Sequence, residues 1–152
     1  MSNTIETTTE YVTATVGDQL FGLPIARVQD VFVLDRLTRV PLAAPEIAGV
    51  LNLRGRIVTA IDMRRRLGLA PPGEVRKRMA IGIEYKGESY GLLIDAIGEV
   101  LNLPTAGREG NPVNLEPALA RLSAGVHRLE DRLLVVLDVD RVLDVGQQAE
   151  AA

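Results

Sequence analysis

The same pair of sequence blocks occurs twice in this chain, in the same order, and that repeat constrains the fold more than any other feature. "FGLPIARVQDV" (21–31) returns as "YGLLIDAIGEV" (90–100), with Gly22/Gly91, Leu23/Leu92, Ile25/Ile94 and Val31/Val100 identical. "AGVLNLRGRIVTAIDMRRRL" (48–67) returns as "AGVHRLEDRLLVVLDVDRVL" (124–143). There Ala48-Gly49-Val50 repeats as Ala124-Gly125-Val126, and Leu53/Leu129, Arg56/Arg132, Asp62/Asp138, Arg65/Arg141 and Leu67/Leu143 coincide. A chain of 152 residues made of two related halves predicts two similar units. A unit of roughly 60 residues buries too little apolar surface to stand alone, so the two are expected to share a core.

Each half reads mainly as strands. "EYVTATVGDQLFGL" is a strand, a Gly-Asp turn and a strand, and "RMAIGIEYKGESYGLLI" repeats the design around Lys-Gly. "GVLNLRGRIVTAID" and "GVHRLEDRLLVVLD" are further strand pairs. Short helices are expected at "DMRRRLGL" and "DVDRVLDV", with Asp62 and Asp138 as N-caps. "PEIAG" (45–49) predicts one helical turn, "LEPALARLSAG" allows a helix, and "GLAPPGEVRKR" (68–78) is the connector between halves. Closing such short-stranded sheets into small barrels removes their edges. "RIVTAIDM" and "RLLVVLDV" are apolar on both faces, so each needs cover on two sides. One side is a barrel interior; the other is the sister barrel or a partner protein.

The residues available for chemistry are few. There is no cysteine, and His127 is the only histidine, so thiolate sites, disulfides and histidine relays lack their parts. His127 aligns with Leu51 and reads as a part-buried, satisfied histidine. No GxGxxG, P-loop, HExxH or GxSxG pattern occurs. A net charge of −3 gives no general attraction to nucleic acid or anionic membrane. The runs "RRR" (64–66) and "RKR" (76–78) therefore read as a solvated helix face and a solvated linker. The polar start "MSNTIETTTEY" lacks the pattern of a signal peptide, and no apolar run reaches membrane-spanning length, so a cytoplasmic protein is expected.

Residues shared by both copies answer to the fold; residues that differ are where a copy-specific function can sit. "NLRG" (52–55) corresponds to "RLED" (128–131), so charge is inverted at this turn. Two readings of Arg54 stand side by side. It is either a solvent-facing turn residue, or a guanidinium on an apolar rim whose donors grip carbonyls or carboxylates of a partner.

"IAGVLNLRGRIVTAIDMRRRLGL" resembles the signature of the CheW family of bacterial chemotaxis coupling proteins, and "EYVTATVGDQLFGLPIARVQDV" resembles that family's N-terminal block. The resemblance runs from about Glu10 to Val145. It implies a mainly β fold: two SH3-like five-stranded β-barrels packed around a shared hydrophobic core, with a few short helices. As a single CheW-like domain at 10–145, the chain would place barrel one at about 16–70 and barrel two at about 77–139, the termini free to cross between barrels, with flexible tails at 1–9 and 146–152. It further implies a non-enzymatic adaptor without cofactor or metal. Its partners would be the chemoreceptor cytoplasmic tip and the regulatory domain of a CheA-type histidine kinase, with pairing extendable into rings or arrays. It would be recruited from the cytoplasm to membrane-associated receptor arrays.

Carried over position by position, the receptor-binding groove is Ile25, Val28, Asp30, Arg54, Ile57 and Val58, and kinase contact falls at Gly49, Gly55, Gly91 and Ile94. Arg56 departs from the apolar residue expected after NLRG. The competing readings are a coupling protein of a non-flagellar pathway and a small β-barrel nucleic-acid or ligand-binding module. The second would require a basic, aromatic-studded face that two phenylalanines and three tyrosines do not supply.

Overall fold

A computed structural model describes residues 7–34, 36–70 and 78–144. Ten strands carry the fold: β1 (Thr8–Val16), β2 (Gln19–Pro24), β3 (Val28–Leu34), β4 (Ile47–Leu53), β5 (Arg56–Asp62), β6 (Arg78–Tyr85), β7 (Glu88–Ile94), β8 (Ala96–Pro104), β9 (Ser123–Arg128) and β10 (Leu133–Leu137). The helices are α1 (Met63–Arg66) and α2 (Pro117–Leu122), with residues 139–144 also helical. The expected hairpins form, and two of them turn on a residue pair with positive φ: Arg54-Gly55 (53° and 83°) and Lys86-Gly87 (50° and 78°). That geometry matches the right-handed twist of the flanking strands.

The strands form two five-stranded sheets, ordered β8-β1-β2-β10-β9 and β3-β6-β7-β5-β4. Neither sheet coincides with a contiguous half of the chain such as 16–70 or 77–139. Each half contributes its first hairpin (β1-β2 or β6-β7) to the sheet built from the last three strands of the other half. The exchange is made by two parallel pairings, β2 on β10 and β7 on β5. Single bridges, Thr38 to Val50 and Glu109 to Val126, join the segments after β3 and β8 to β4 and β9, which curls each sheet toward closure.

The shared core follows from the two-faced strands. Ile61, Ile81 and Leu92 belong to a large cluster that also holds Phe21, Leu23, Val126, Val135 and Leu143 from the other sheet and its closing helix. Their neighbours in sequence, Ala60, Ala80 and Leu93, face the opposite way into a smaller cluster with Leu34. One face of β5, β6 and β7 thus fills their own barrel and the other meets the sister sheet, as strands apolar on both sides require. Asp62 and Asp138 cap the helices that follow them, accepting hydrogen bonds from the backbone N–H of Arg64 (3.0 Å) and of Arg141 (3.2 Å).

Two expectations give way. "PEIAG" is a turn at 45–46 running into β4 rather than a helical turn, because residues from Ile47 on pair with β5 around a bulge. The arginine run 64–66 is a solvated face only at Arg65, which is exposed. Arg64 donates through Nε and Nη2 to both carboxylate oxygens of Asp95 (3.0 and 2.7 Å) and through Nη1 to the Ala70 carbonyl (2.9 Å). Arg66 donates to the carbonyls of Arg141 (2.8 Å) and Val142 (3.3 Å) in the closing helix.

The Arg64–Asp95 pair clamps α1 to the junction where the chain crosses from β7 to β8. Its counterpart, Arg27–Asp140 at 3.0 Å, clamps the closing helix to the β2–β3 junction. By the repeat, Arg64 is equivalent to Asp140, so the two clamps have opposite polarity. The Arg64 guanidinium, and less strongly the Gly17 N–H, hold the Asp95 carboxyl below the usual carboxylate range against the opposing effect of burial. Such a group stabilises the fold above its unfolded pKa and loses that contribution as pH falls through its depressed folded pKa. Replacing Arg64 with Ala is expected to cost about 1.5–3 kcal/mol near pH 7. The gap between wild type and variant should shrink once the pH drops below about 4. Urea midpoints of both proteins at pH 7 and pH 3 measure this, and an equal gap at both values would show that the charge pairing contributes nothing.

Candidate functional site

β3 runs antiparallel to β6, β6 antiparallel to β7, and β7 parallel to β5, so β3 and β5 start at the same end of their sheet. The sequence candidates 25–30 and 54–58 are thereby brought to one end of one barrel. An ion pair between Arg56 Nη2 and Asp30 Oδ2 (3.8 Å) ties the two segments together. Arg56, the departure from the expected apolar pattern, is therefore the cation that faces Asp30. The other Asp30 oxygen, Oδ1, is buried with no hydrogen-bond partner among the described residues.

The Arg54 turn is built by its own sequence. Asn52 Oδ1 accepts the Gly55 N–H at 2.8 Å, closing a two-residue loop between Leu53 and Arg56. This places Arg54, a residue with a Cβ, at φ 53°, a left-handed conformation that costs an L-residue about 1 kcal/mol. Among the described residues its side chain has neither a hydrogen bond nor an ion pair, and the residue is exposed. The corresponding β9–β10 connection is also closed around two residues, Leu129 N–H donating to the Arg132 carbonyl (2.9 Å) with Glu130 and Asp131 between them.

Beside Arg54 the apolar face of β5 runs out of cover. Ile61 is 0% exposed between the sheets, whereas Ile57, on the same face four residues earlier, is 62% exposed. Ile25, just before β3, is 41% exposed. Of the groove candidates, Arg54, Ile57 and Ile25 are therefore the exposed ones. Val28 and Asp30 alternate inward on β3 and are half-buried, Val28 against the shared core. Val58 corrects the expectation of a groove-lining side chain: it is 1% exposed and points to the barrel side, where a Cβ on Gly91 would lie 3.4 Å from it. The structure adds Val31 and Val33, outward on β3 and exposed. Their alternation with Val28, Asp30 and Phe32 was present in the sequence, but which set faces outward was not.

Of the kinase-side candidates only Gly55 is exposed. Gly49, Gly91 and Ile94 are buried, so neither the backbone at the two glycines nor the Ile94 side chain is open to a partner. His127 is 4% exposed, its ring edge-on to Tyr11 at 5.5 Å with Nε2 3.5 Å from the phenol oxygen. Burial, and then Arg108 against the opposing effect of Glu109, pushes its pKa below the usual histidine value. The ring is thus held in the interior against Tyr11, with burial favouring its neutral form. Among the described residues no group of three or more His, Cys, Asp or Glu could hold a metal ion, and no helix is long and apolar enough to cross a membrane.

Comparison with known proteins adds the lineage. The family model for the CheW-like domain matches residues 10–147. The chemotaxis protein CheW of Bacillus subtilis is 27% identical over 144 residues, covering 95% of this chain and 92% of that protein. The chemotaxis protein CheW of Rhizobium meliloti is also 27% identical, over 143 residues, with 94% and 92% covered. Among solved structures, the scaffolding protein TtCheW of Thermoanaerobacter tengcongensis superposes with a TM-score of 0.82 at 24% identity, covering 94% of this chain and 97% of that one.

Proposed function

The chain belongs to the CheW-like domain family, and from that premise we propose that the rim formed by Arg54, Ile57 and Ile25 is the surface by which it grips a chemoreceptor's helical tip. The protein is a chemotaxis coupling adaptor. The family is a non-catalytic scaffold that couples receptors to the histidine kinase CheA. In this chain an adaptor's task is geometric: two partners must be held at once, so that a receptor's state biases the kinase. Recruitment from the cytoplasm to membrane-associated receptor arrays follows from receptor binding at this rim.

The observation that carries the reading is the Arg54 side chain. The fold accepts a left-handed arginine at the turn, gives its guanidinium no partner among the described residues, and sets it beside an isoleucine that the sister sheet fails to cover. An amphipathic receptor helix offers apolar side chains for Ile57 and Ile25, and carboxylates or terminal carbonyls for the fork of Arg54 donors. Val28 and Val58 support the rim from below, and Asp30 positions Arg56 within it. Kinase contact is assigned to the exposed surface around Gly55 in the first barrel, with Gly49, Gly91 and Ile94 shaping the barrel beneath.

Arg54→Ala is expected to weaken co-sedimentation with receptor cytoplasmic fragments by at least about tenfold, the loss of one charge-assisted contact at an interface. Receptor-dependent kinase activation should fall with it, while thermal unfolding stays unchanged. Unaltered receptor binding by the folded variant would remove Arg54 from the interface.

A further inference from the structure

The arginine run leaves one member uncommitted. Arg64 and Arg66 are held by Asp95 and by the closing helix, but among the described residues the Arg65 side chain has no hydrogen bond or ion pair. It lines a cavity of about 250 Å³ between α1 and α2, together with Arg66, Arg121 and a single carboxylate, Glu46. Arg121 likewise has no side-chain partner among the described residues, and Glu46 stands in ion-pair contact with none of the three arginines there. Three guanidiniums and one carboxylate line the concavity, with Asp144 acting on Arg66 from outside the lining, so positive charge is in excess there on a chain whose net charge is −3. A neighbouring cavity of about 430 Å³ shares Arg65 and adds Arg39, while Arg78 on its wall is paired with Asp62 at 3.2 Å.

Arg65 and Arg121 are exposed and Arg66 is half-buried, and like charges held around one concavity favour a counter-charge joining them. Arg66 registers the strain. Its pKa is lowered, first by burial and then by Arg121, against the opposite pulls of Glu46 and Asp144. The guanidinium fork matches tetrahedral oxyanions through paired N–H donors. A phosphate oxyanion would neutralise the excess positive charge, and the volume holds a phosphate group with several waters, at about 30 Å³ for each water.

We propose that the α1–α2 cavity is a binding site for a small phosphate-type oxyanion, gripped by Arg65 and Arg121 with Arg66 behind them. The ligand is a dissolved species, free phosphate or the phosphate end of a small metabolite, because the arginines surround a concavity rather than a flat face suited to a bilayer. None of the residues of the Arg54 rim lines this cavity.

The test is calorimetric titration of the whole protein with inorganic phosphate, in chloride buffer matched for ionic strength, with NMR amide shifts to locate the site. Binding is expected with shifts at 65–68 and 118–122. The Arg65→Gln/Arg121→Gln variant should bind at least about tenfold more weakly. Glu46→Gln, which removes the one opposing charge, should bind roughly threefold more tightly, a gain that a mere loss of structure cannot produce. No heat up to ~10 mM phosphate, which puts any dissociation constant above that concentration, would overturn the proposal. Equal binding by the double variant would do the same. So would binding to phosphatidylglycerol vesicles without any binding of free phosphate, which would make the arginines a membrane contact.

Discussion

Divided at its connector into residues 1–70 and 71–152, the chain is expected to lose its fold in both pieces and to regain it when they are mixed. Each piece supplies only two strands to one sheet and three to the other, so alone it can complete neither. It also carries only part of each wall of the core: Phe21 and Val135 line one sheet, Ile61 and Leu92 the other, and each pair is split between the pieces. A chain of this length is stabilised by about 5–15 kcal/mol in total, which losing half the core exhausts. Because the halves are related, a piece could in principle pair with a second copy of itself.

The crossover ion pairs select against that. The first half carries Arg27 and Arg64, and the second carries Asp95 and Asp140 at the facing positions. Two copies of the first half would set arginine against arginine, and two copies of the second would set aspartate against aspartate. Circular dichroism of each piece should show an unfolded chain, and the equimolar mixture should elute as a one-to-one complex with native spectrum. Cooperative unfolding by either piece alone would refute the interdependence of the halves.

Gly49→Ala is expected to destabilise the protein by about 3 kcal/mol or more, and Gly125→Ala by a similar amount, against about 1 kcal/mol for Gly55→Ala. The three glycines all have positive φ (152°, 134° and 83°), so backbone strain is common to them. They differ in what a methyl group would meet. At Gly49 a Cβ would lie 2.6 Å from the Thr38 carbonyl oxygen, and at Gly125 it would lie 2.8 Å from the Glu109 carbonyl oxygen. Both oxygens belong to the bridges that curl the sheets, and backbone atoms cannot swing aside as a side chain can. At Gly55 nothing lies within 4 Å. Denaturant midpoints at constant m-value measure all three. Equal costs at Gly49 and Gly55 would mean that the strand crossing has room to spare.

The repeated Ala-Gly-Val is thus explained by two equivalent backbone crossings, and it shows which kind of information the sequence holds. Hairpin turns, aspartate caps and two-faced strands are local: each depends on residues within a few positions, and Asn52, Gly55, Asp62 and Asp138 do in the structure what their neighbours imply. The NLRG turn likewise marked Arg54 before any geometry was known. Other features were not legible. Val58 and Ile57 are adjacent and both apolar, yet one is sealed in the barrel and the other open. Ile57 and Ile61 share a face, yet only Ile61 is covered.

By itself, the sequence determined the strands, their turns, the duplication and the family. Only the tertiary structure decided which half completes which sheet, and where one sheet stops covering the other. Related halves carry nearly the same hydrophobic pattern, so a hairpin's own residues suit either set of three strands. The choice rests on contacts distant in the chain, such as Arg64 with Asp95, and so does the short reach of the sister sheet that leaves Ile57 bare.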